Sequence, residues 1–368
     1  MKAVLFSGIF FIFSIFSISQ NRILVFHETN GFRHGSINSG IEMFEDLGAE
    51  NDDWVTDNSE NSSVFNSANL AQYDVVVFLN TSGSDENGDN GDLLSKSEKL
   101  ALEEFMASGK GFIGVHAATD TYRDGIWPFY NELVGGIVQT SPNHTDNNFN
   151  ANMTVITSHP IVDFLGIEGS IWNKDEEYYY WEQNGGQLST DNMVVLEVEQ
   201  TEGPNNMVNS YDRIRPMAWY KESIAYDDDN NPSTEKITLS GFRSFYTALG
   251  HNSADYTNNS NFRTLLKNAT LWAIGEESLS AFEENSKNLK VFPNPVDDYV
   301  SLTIPFSESE ILIKVFNEHG QLVFHKLVNR LGPQESWYQL NIERLKSGIY
   351  FVQLEYDFKQ ENIKLIKR

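Results

Sequence analysis

Hydrophobic and polar positions change their pattern several times along the chain. After the positive start Met1-Lys2, residues 3–18 are almost wholly apolar, and small residues Ser17 and Ser19 precede Gln20. That pattern predicts a cleaved signal peptide over 1–19. The run is shorter than the roughly 20 residues a membrane span needs, so no span is expected in the mature protein.

Beyond it, apolar runs alternate with amphipathic stretches. RILVFH (22–27), YDVVVFLN (73–80) and KGFIGVH (110–116) are continuous enough for strands buried on both faces. A further strand is expected at 53–56 and an amphipathic helix over about 37–47. Ser95-Lys96-Ser97-Glu98 has the form of a capping box, opening a helix that runs to Ser108 and closes at Gly109. Strand, helix, strand in this order predicts a doubly wound, mostly parallel α/β sheet over 20–275.

The pattern changes again after the polar stretch 276–287. Short alternating segments at 299–304, 311–316, 322–327, 337–342 and 349–354 are separated by turn signals such as His319-Gly320 and Ser347-Gly348. They predict a small all-β sandwich over 288–368.

Charge and composition narrow the function. The net charge is −26, yet the ten basic and ten acidic residues of 288–368 balance, so the excess lies in the first 287 residues. An acidic surface repels phosphate backbones and argues against a nucleic-acid partner. With no cysteine, disulfides, thiolate zinc sites and thiol nucleophiles are excluded.

In an open parallel sheet, ligands bind beyond the carboxyl ends of the strands. That rule nominates the loops after His27, Asn80 and His116, which carry Arg33 and His34, Thr81, and Asp120. Gly114-Val115-His116-Ala117-Ala118 is shaped like a nucleophile elbow with histidine at its centre, so the ring is expected to face a solvent-open pocket. Histidine there can serve as acid, base or metal ligand.

Two stretches closely resemble known families. Residues 22–275 resemble the trehalose-utilisation (ThuA-like) family, whose fold is related to class I glutamine amidotransferases. The resemblance rests on Asn30-Gly31-Phe32-Arg33-His34, 73–81, 111–120, Asp175-Glu176-Glu177-Tyr178, Pro216-Met217-Ala218-Trp219 and 246–251. It implies a link to sugar utilisation and the absence of the amidotransferase cysteine. The chain departs from the family in Glu177, where an aromatic is common, and in acidic insertions at 85–92 and 227–231. Residues 288–368, with Pro293-Asn294-Pro295, 317–323, 347–354 and the basic end 364–368, resemble the sorting domain of the Bacteroidetes type IX secretion system. That implies export through this machinery, to the medium or the cell surface.

Four residues, His34, His116, Glu176 and His251, leave predicted elements at loops and form the candidate catalytic set. They can work as an acid–base group or hold a zinc-like divalent ion; their spacing, without H-E-x-x-H, does not decide. Arg33, Asn80, Thr81, Asp120, Tyr178, Trp219 and Tyr246 are the candidate substrate contacts. On a strand, the run Tyr178–Trp181 would present alternate rings to a sugar. His27, His144 and His159 are weaker candidates, the last as the cap of a short turn. Asp85–Asp92 alternates oxygen ligands but lacks the EF-hand glycine and final glutamate. Asp227-Asp228-Asp229 is expected in a turn between strands.

The expected function is a secreted enzyme, a hydrolase or isomerase, acting on a sugar or oxidised sugar by His/Glu chemistry. The rival is a non-catalytic glycan-binding protein, for which an open aromatic groove is expected instead of converging histidines.

Protein recovered from the native host is expected to begin at or near Gln20 and to lack 288–368. N-terminal sequencing and intact mass check this; a secreted form that keeps the tail contradicts the sorting reading.

Overall fold

The computed structural model describes residues 20–83, 93–123, 125–202, 207–227, 235–275, 290–304, 311–317, 322–328, 336–356 and 359–368. The expected signal peptide, the acidic stretch 85–92 and the linker 276–287 lie outside them. The chain divides at Gly275 into two compact units.

In chain order, the first unit carries β1 (Arg22–Phe26), α1 (Ile37–Glu50), β2 (Val55–Ser59), α2 (Ser67–Leu70), β3 (Val75–Leu79), α3 (Lys96–Ala107) and β4 (Gly111–Val115). It continues with α4 (Pro128–Val134), β5 (Gly136–Ile137), β6 (Phe149–Val155), β7 (Ile171–Glu176), β8 (Gln187–Leu188), β9 (Met193–Val198), β10 (Arg215–Tyr226), β11 (Ile237–Thr247), α5 (Ser253–Asn258) and α6 (Ser260–Ile274). Nine strands form one sheet in the order β2-β1-β3-β4-β11-β10-β9-β6-β7.

Strands β2, β1, β3, β4 and β11 run parallel, and β10, β9, β6 and β7 follow antiparallel. Every residue of β3 and β4 is buried, as their unbroken apolar runs require. Helix α1 buries Ile37, Gly40, Met43, Phe44 and Leu47, one stripe at helical spacing. A Cβ on Gly40 would come within 2.9 Å of both Leu79 methyls, so glycine lets this helix sit close on β3. The Ser95/Glu98 capping box opens α3 as expected.

The chain moves outward from β1 to β2, then returns to place β3 on the other side of β1. Such a reversal opens a crevice at the carboxyl ends of the strands. The loops after β1, β3, β4 and β11 all leave from that edge.

Three local expectations change. The second strand begins two residues later, at Val55, because Trp54 tucks its indole N–H onto the Phe44 carbonyl. Where a helix is expected to follow the elbow-like turn, the segment His116–Asp120 is a 3-10 turn. Residues 178–181 are not a strand: β7 ends at Glu176, and Tyr178, Tyr179, Tyr180 and Trp181 are all buried. Strand alternation is lost there because the backbone bonds to the 139–145 segment instead, through Gln139, Asn143 and Thr145.

The second unit carries β12 (Val291–Phe292), β13 (Tyr299–Ile304), β14 (Ile311–Asn317), β15 (Leu322–Val328), β16 (Ser336–Asn341), β17 (Gly348–Tyr356) and β18 (Lys359–Lys367). Two antiparallel sheets, β12-β13-β16 and β15-β14-β17-β18, share a core that includes Val300, Leu302, Ile313, Val315, Val352 and Leu354. Each unit thus has its own hydrophobic core.

A chain truncated after Gly275 is expected to melt in one cooperative transition at nearly the full-length temperature. Calorimetry of both forms checks this; a broad, non-cooperative melt of the shorter chain would show that the units share a core.

Candidate functional site

The strand ends set the site. His116 follows β4 directly and takes a left-handed backbone, φ +48°; Asn80, after the neighbouring β3, has φ +49°. Left-handed non-glycine residues are costly and recur where a structure holds a side chain in a fixed place. Gly114 is small for packing: a Cβ there would meet Tyr246 and Val134 at 3.0 Å.

The rings of His34, after β1, and His116 lie 4.7 Å apart, centroid to centroid. His251, after β11, lies 5.6 Å from each. Three of the four expected residues therefore converge. His116 differs from expectation in exposure: its ring is fully buried, covered by His34, His251 and Tyr179, whose hydroxyl is 3.2 Å from Nε2.

The carboxylate at the centre is Glu177, not Glu176. Glu177 Oε2 lies 2.9 Å from His251 Nδ1 and 3.5 Å from His116 Nε2, while Oε1 lies 3.6 Å from His144 Nε2. Glu176 points elsewhere. Fully buried, it pairs with Lys174 at 2.8 Å and accepts from the backbone N–H groups of Glu177, Gly250 and His251. Lys174 also pairs with Asp255 at 2.7 Å. On a continued strand, 176 and 177 would face opposite sides; ending β7 at 176 lets both turn inward.

Sequence reasoning also missed Arg215. Its buried guanidinium donates to the carbonyls of Tyr179 and Tyr178 and to Thr201, and lies 4.6 Å from the Tyr180 ring centroid. This fork fixes the turn that carries Glu177 and Tyr179. An arginine next to proline in a strand gives no hint of that role.

The remaining candidates fall outside the cluster. Trp219 donates to the Val134 carbonyl, Tyr178 to the Lys174 carbonyl and Tyr246 to the His116 carbonyl; all three are core residues. Asn80 donates to Ser36, and Thr81 bonds Thr121, both wholly buried. Asp120 pairs with Arg123, and Arg33 reaches the His27 carbonyl and Glu60. His159 caps its turn by accepting from Ile161 N–H. A polar cavity of about 680 Å³ adjoins Lys174 and Asp255, but none of the histidines lines it.

The environments push the groups in opposite directions. Burial, reinforced by the neighbouring histidines, lowers His34 to about 3, so its ring stays neutral. Burial also opposes charge on His251, yet Glu177 outweighs it and raises the ring above the ordinary value. Burial alone would raise Glu177; His116 and His251 reverse that and hold it ionised. His34, His116, His251 and Glu177 each offer one ligand atom within 4.8 Å of the others, so they are also the residues that could hold a metal.

The model of the ThuA family, described as trehalose utilisation, matches residues 22–273. The chain belongs to the ThuA family. The secretion system C-terminal sorting domain matches 290–368, so this ThuA protein is secreted or displayed at the cell surface through the type IX machinery. Among the described residues, no helix is long and apolar enough to cross a membrane.

A ThuA-like protein from Bacteroides uniformis is 20% identical with TM-score 0.51, over 73% of this chain and 97% of its own. Another, from Parabacteroides merdae, is 16% identical with TM-score 0.47, over 69% and 90%. A glutamine amidotransferase from Thermotoga maritima is 12% identical with TM-score 0.41, over 69% and 98%. No curated protein matches the chain. At these identities the likeness concerns the fold.

Glu176 and Glu177 are expected to separate by experiment. Glu176→Gln in the ThuA domain breaks a buried ion pair and lowers stability by about 3 kcal/mol. Glu177→Gln loses its charge beside His251 and His116 but leaves no buried lysine unpaired, and costs less, about 1–2 kcal/mol. Denaturant melts of both variants check this; equal losses contradict the division of roles.

Proposed function

We propose that the ThuA domain is an exported enzyme that moves a proton at a carbon or oxygen of a sugar or oxidised sugar. The observation that carries this reading is the convergence of three histidines around one buried carboxylate at the carboxyl edge of the parallel strands. Titratable groups pushed apart by their surroundings take different roles in acid–base chemistry. His251, whose proton Glu177 favours, suits the acid and, once it has given that proton up, the base; neutral His34 holds the reacting group. Tyr179 and His116 hold the floor of the site.

The sugar assignment draws on the family description, trehalose utilisation. Hydrolysis and isomerisation both require such a proton transfer. A glycan-binding role without turnover finds less support, because the candidate stacking residues Tyr178, Trp219 and Tyr246 are buried in the core.

A panel of disaccharides and their oxidised forms, followed by NMR in D₂O, tests this proposal. Turnover or deuterium incorporation is expected with the native chain, and His251→Asn is expected to reduce it at least about 100-fold, since general acid–base catalysis contributes roughly 10²–10⁴. His116→Ala is a poorer probe, because removing a buried ring also leaves a cavity. No reaction across the panel, or full activity in His251→Asn, defeats the proposal.

A further inference from the structure

We propose that His34, His116, His251 and Glu177 bind one divalent first-row transition ion of the zinc type, through three imidazoles and one carboxylate. This deepens the catalytic reading of the same residues. In the loaded site the imidazoles would be ligands, and a water could enter only as a fifth ligand, where the ion would acidify it.

The dimensions suit such an ion. Zinc bonds of about 2.0–2.2 Å to nitrogen and oxygen put neighbouring ligand atoms about 3.4 Å apart in a tetrahedron. The four ligand atoms already lie within 4.8 Å of one another. Small side-chain rotations close that gap.

Proton bookkeeping gives an independent reason. His116 Nδ1 lies 2.7 Å from the Ala248 carbonyl oxygen, which can only accept. Nδ1 therefore carries the proton, and the unprotonated Nε2 faces both the Tyr179 hydroxyl at 3.2 Å and Glu177 Oε2 at 3.5 Å. Tyr179 can offer its proton to Nε2, but the ring nitrogen and the carboxylate still repel each other, which a cation between them relieves. Metal-bound histidines characteristically donate their other N–H to a carbonyl, as His116 does here.

Unpartnered nitrogens give a third. Nδ1 of His34 and Nδ1 of His251 are buried and make no hydrogen bond. For His251 the nearby group is Glu177 Oε2, an ion-pair contact at 2.9 Å that lacks hydrogen-bond geometry. One unmet buried polar atom costs about 1–3 kcal/mol. The unmet His34 nitrogen and the misaligned His251–Glu177 pair are explained together if these atoms are ligands. The set contains no thiolate, since the chain has no cysteine, and imidazole with carboxylate suits zinc and its neighbours better than calcium or magnesium.

The competing arrangement places an extra proton on His116 or His251 to face Glu177. Calorimetric titration of the chelator-stripped chain, residues 20–368, with ZnCl₂ separates the two. One site per chain is expected, with affinity lowered about 100-fold or more by Glu177→Ala and by His251→Ala, whereas His159→Ala, far from the cluster in role, retains it. Co²⁺ loading is expected to give d–d bands without a sulfur charge-transfer band. X-ray absorption on the zinc-loaded native chain covers the case in which a variant fails to fold: a shell of three imidazoles and one oxygen donor from protein is required. No binding above the level of a surface-adsorbed ion, or binding unaffected by both alanine substitutions, overturns the site. Ion binding without sugar turnover supports the site and sinks the enzymatic reading; turnover without ion binding does the reverse.

Discussion

The buried carboxylate of Glu176 is the constraint on which the site depends. An ionised group with no solvent exposure is tolerable only if charge and hydrogen bonds replace its water. Lys174 supplies the charge, and the N–H groups of Glu177, Gly250 and His251 supply the bonds. Those donors come from distant places in the sheet: Glu177 follows the edge strand β7, while Gly250 and His251 follow the central strand β11. One carboxylate thereby ties the far antiparallel strand to the carboxyl edge of the parallel half. Together with Arg215, it holds Glu177 against the histidines.

The rest of the site is built on rigid supports. The fully buried β4 ends in the left-handed His116, and the Tyr246 hydroxyl donates to the His116 carbonyl. Arg215 locks the turn opposite. Each support is a core interaction, which is why the aromatic residues near the site pack and hydrogen-bond inward rather than line an open groove. The solvent side is left to His251 and His144, which are only partly covered.

Within the site, similar side chains acquire different properties from position alone. Burial and the neighbouring histidines outweigh the pull of Glu177 on His34, which stays neutral; His251 touches Glu177 and tends to keep its proton. Glu176 and Glu177 are adjacent in sequence and both buried, yet one neutralises a lysine and the other faces imidazoles. Such divergence between like groups is what a site that moves protons or grips a cation requires.

The parallel half of the sheet was legible in the sequence. Short apolar runs bounded by turn signals fit strands buried on both faces, so β1, β3 and β4, and with them the carboxyl-edge loops bearing His34 and His116, could be read from pattern. The tail's alternating segments likewise fixed its sandwich, and family motifs placed both units. Tertiary structure decided what pattern cannot encode: which carboxylate meets the histidines. Period-two alternation assigns 176 and 177 to opposite faces only while a strand continues. Where β7 stops is set by hydrogen bonds to residues 139–145 and by Arg215, partners remote in sequence. The same long-range packing buried Tyr178, Trp219 and Tyr246, because an aromatic side chain reads alike in sequence whether it faces a ligand or a core.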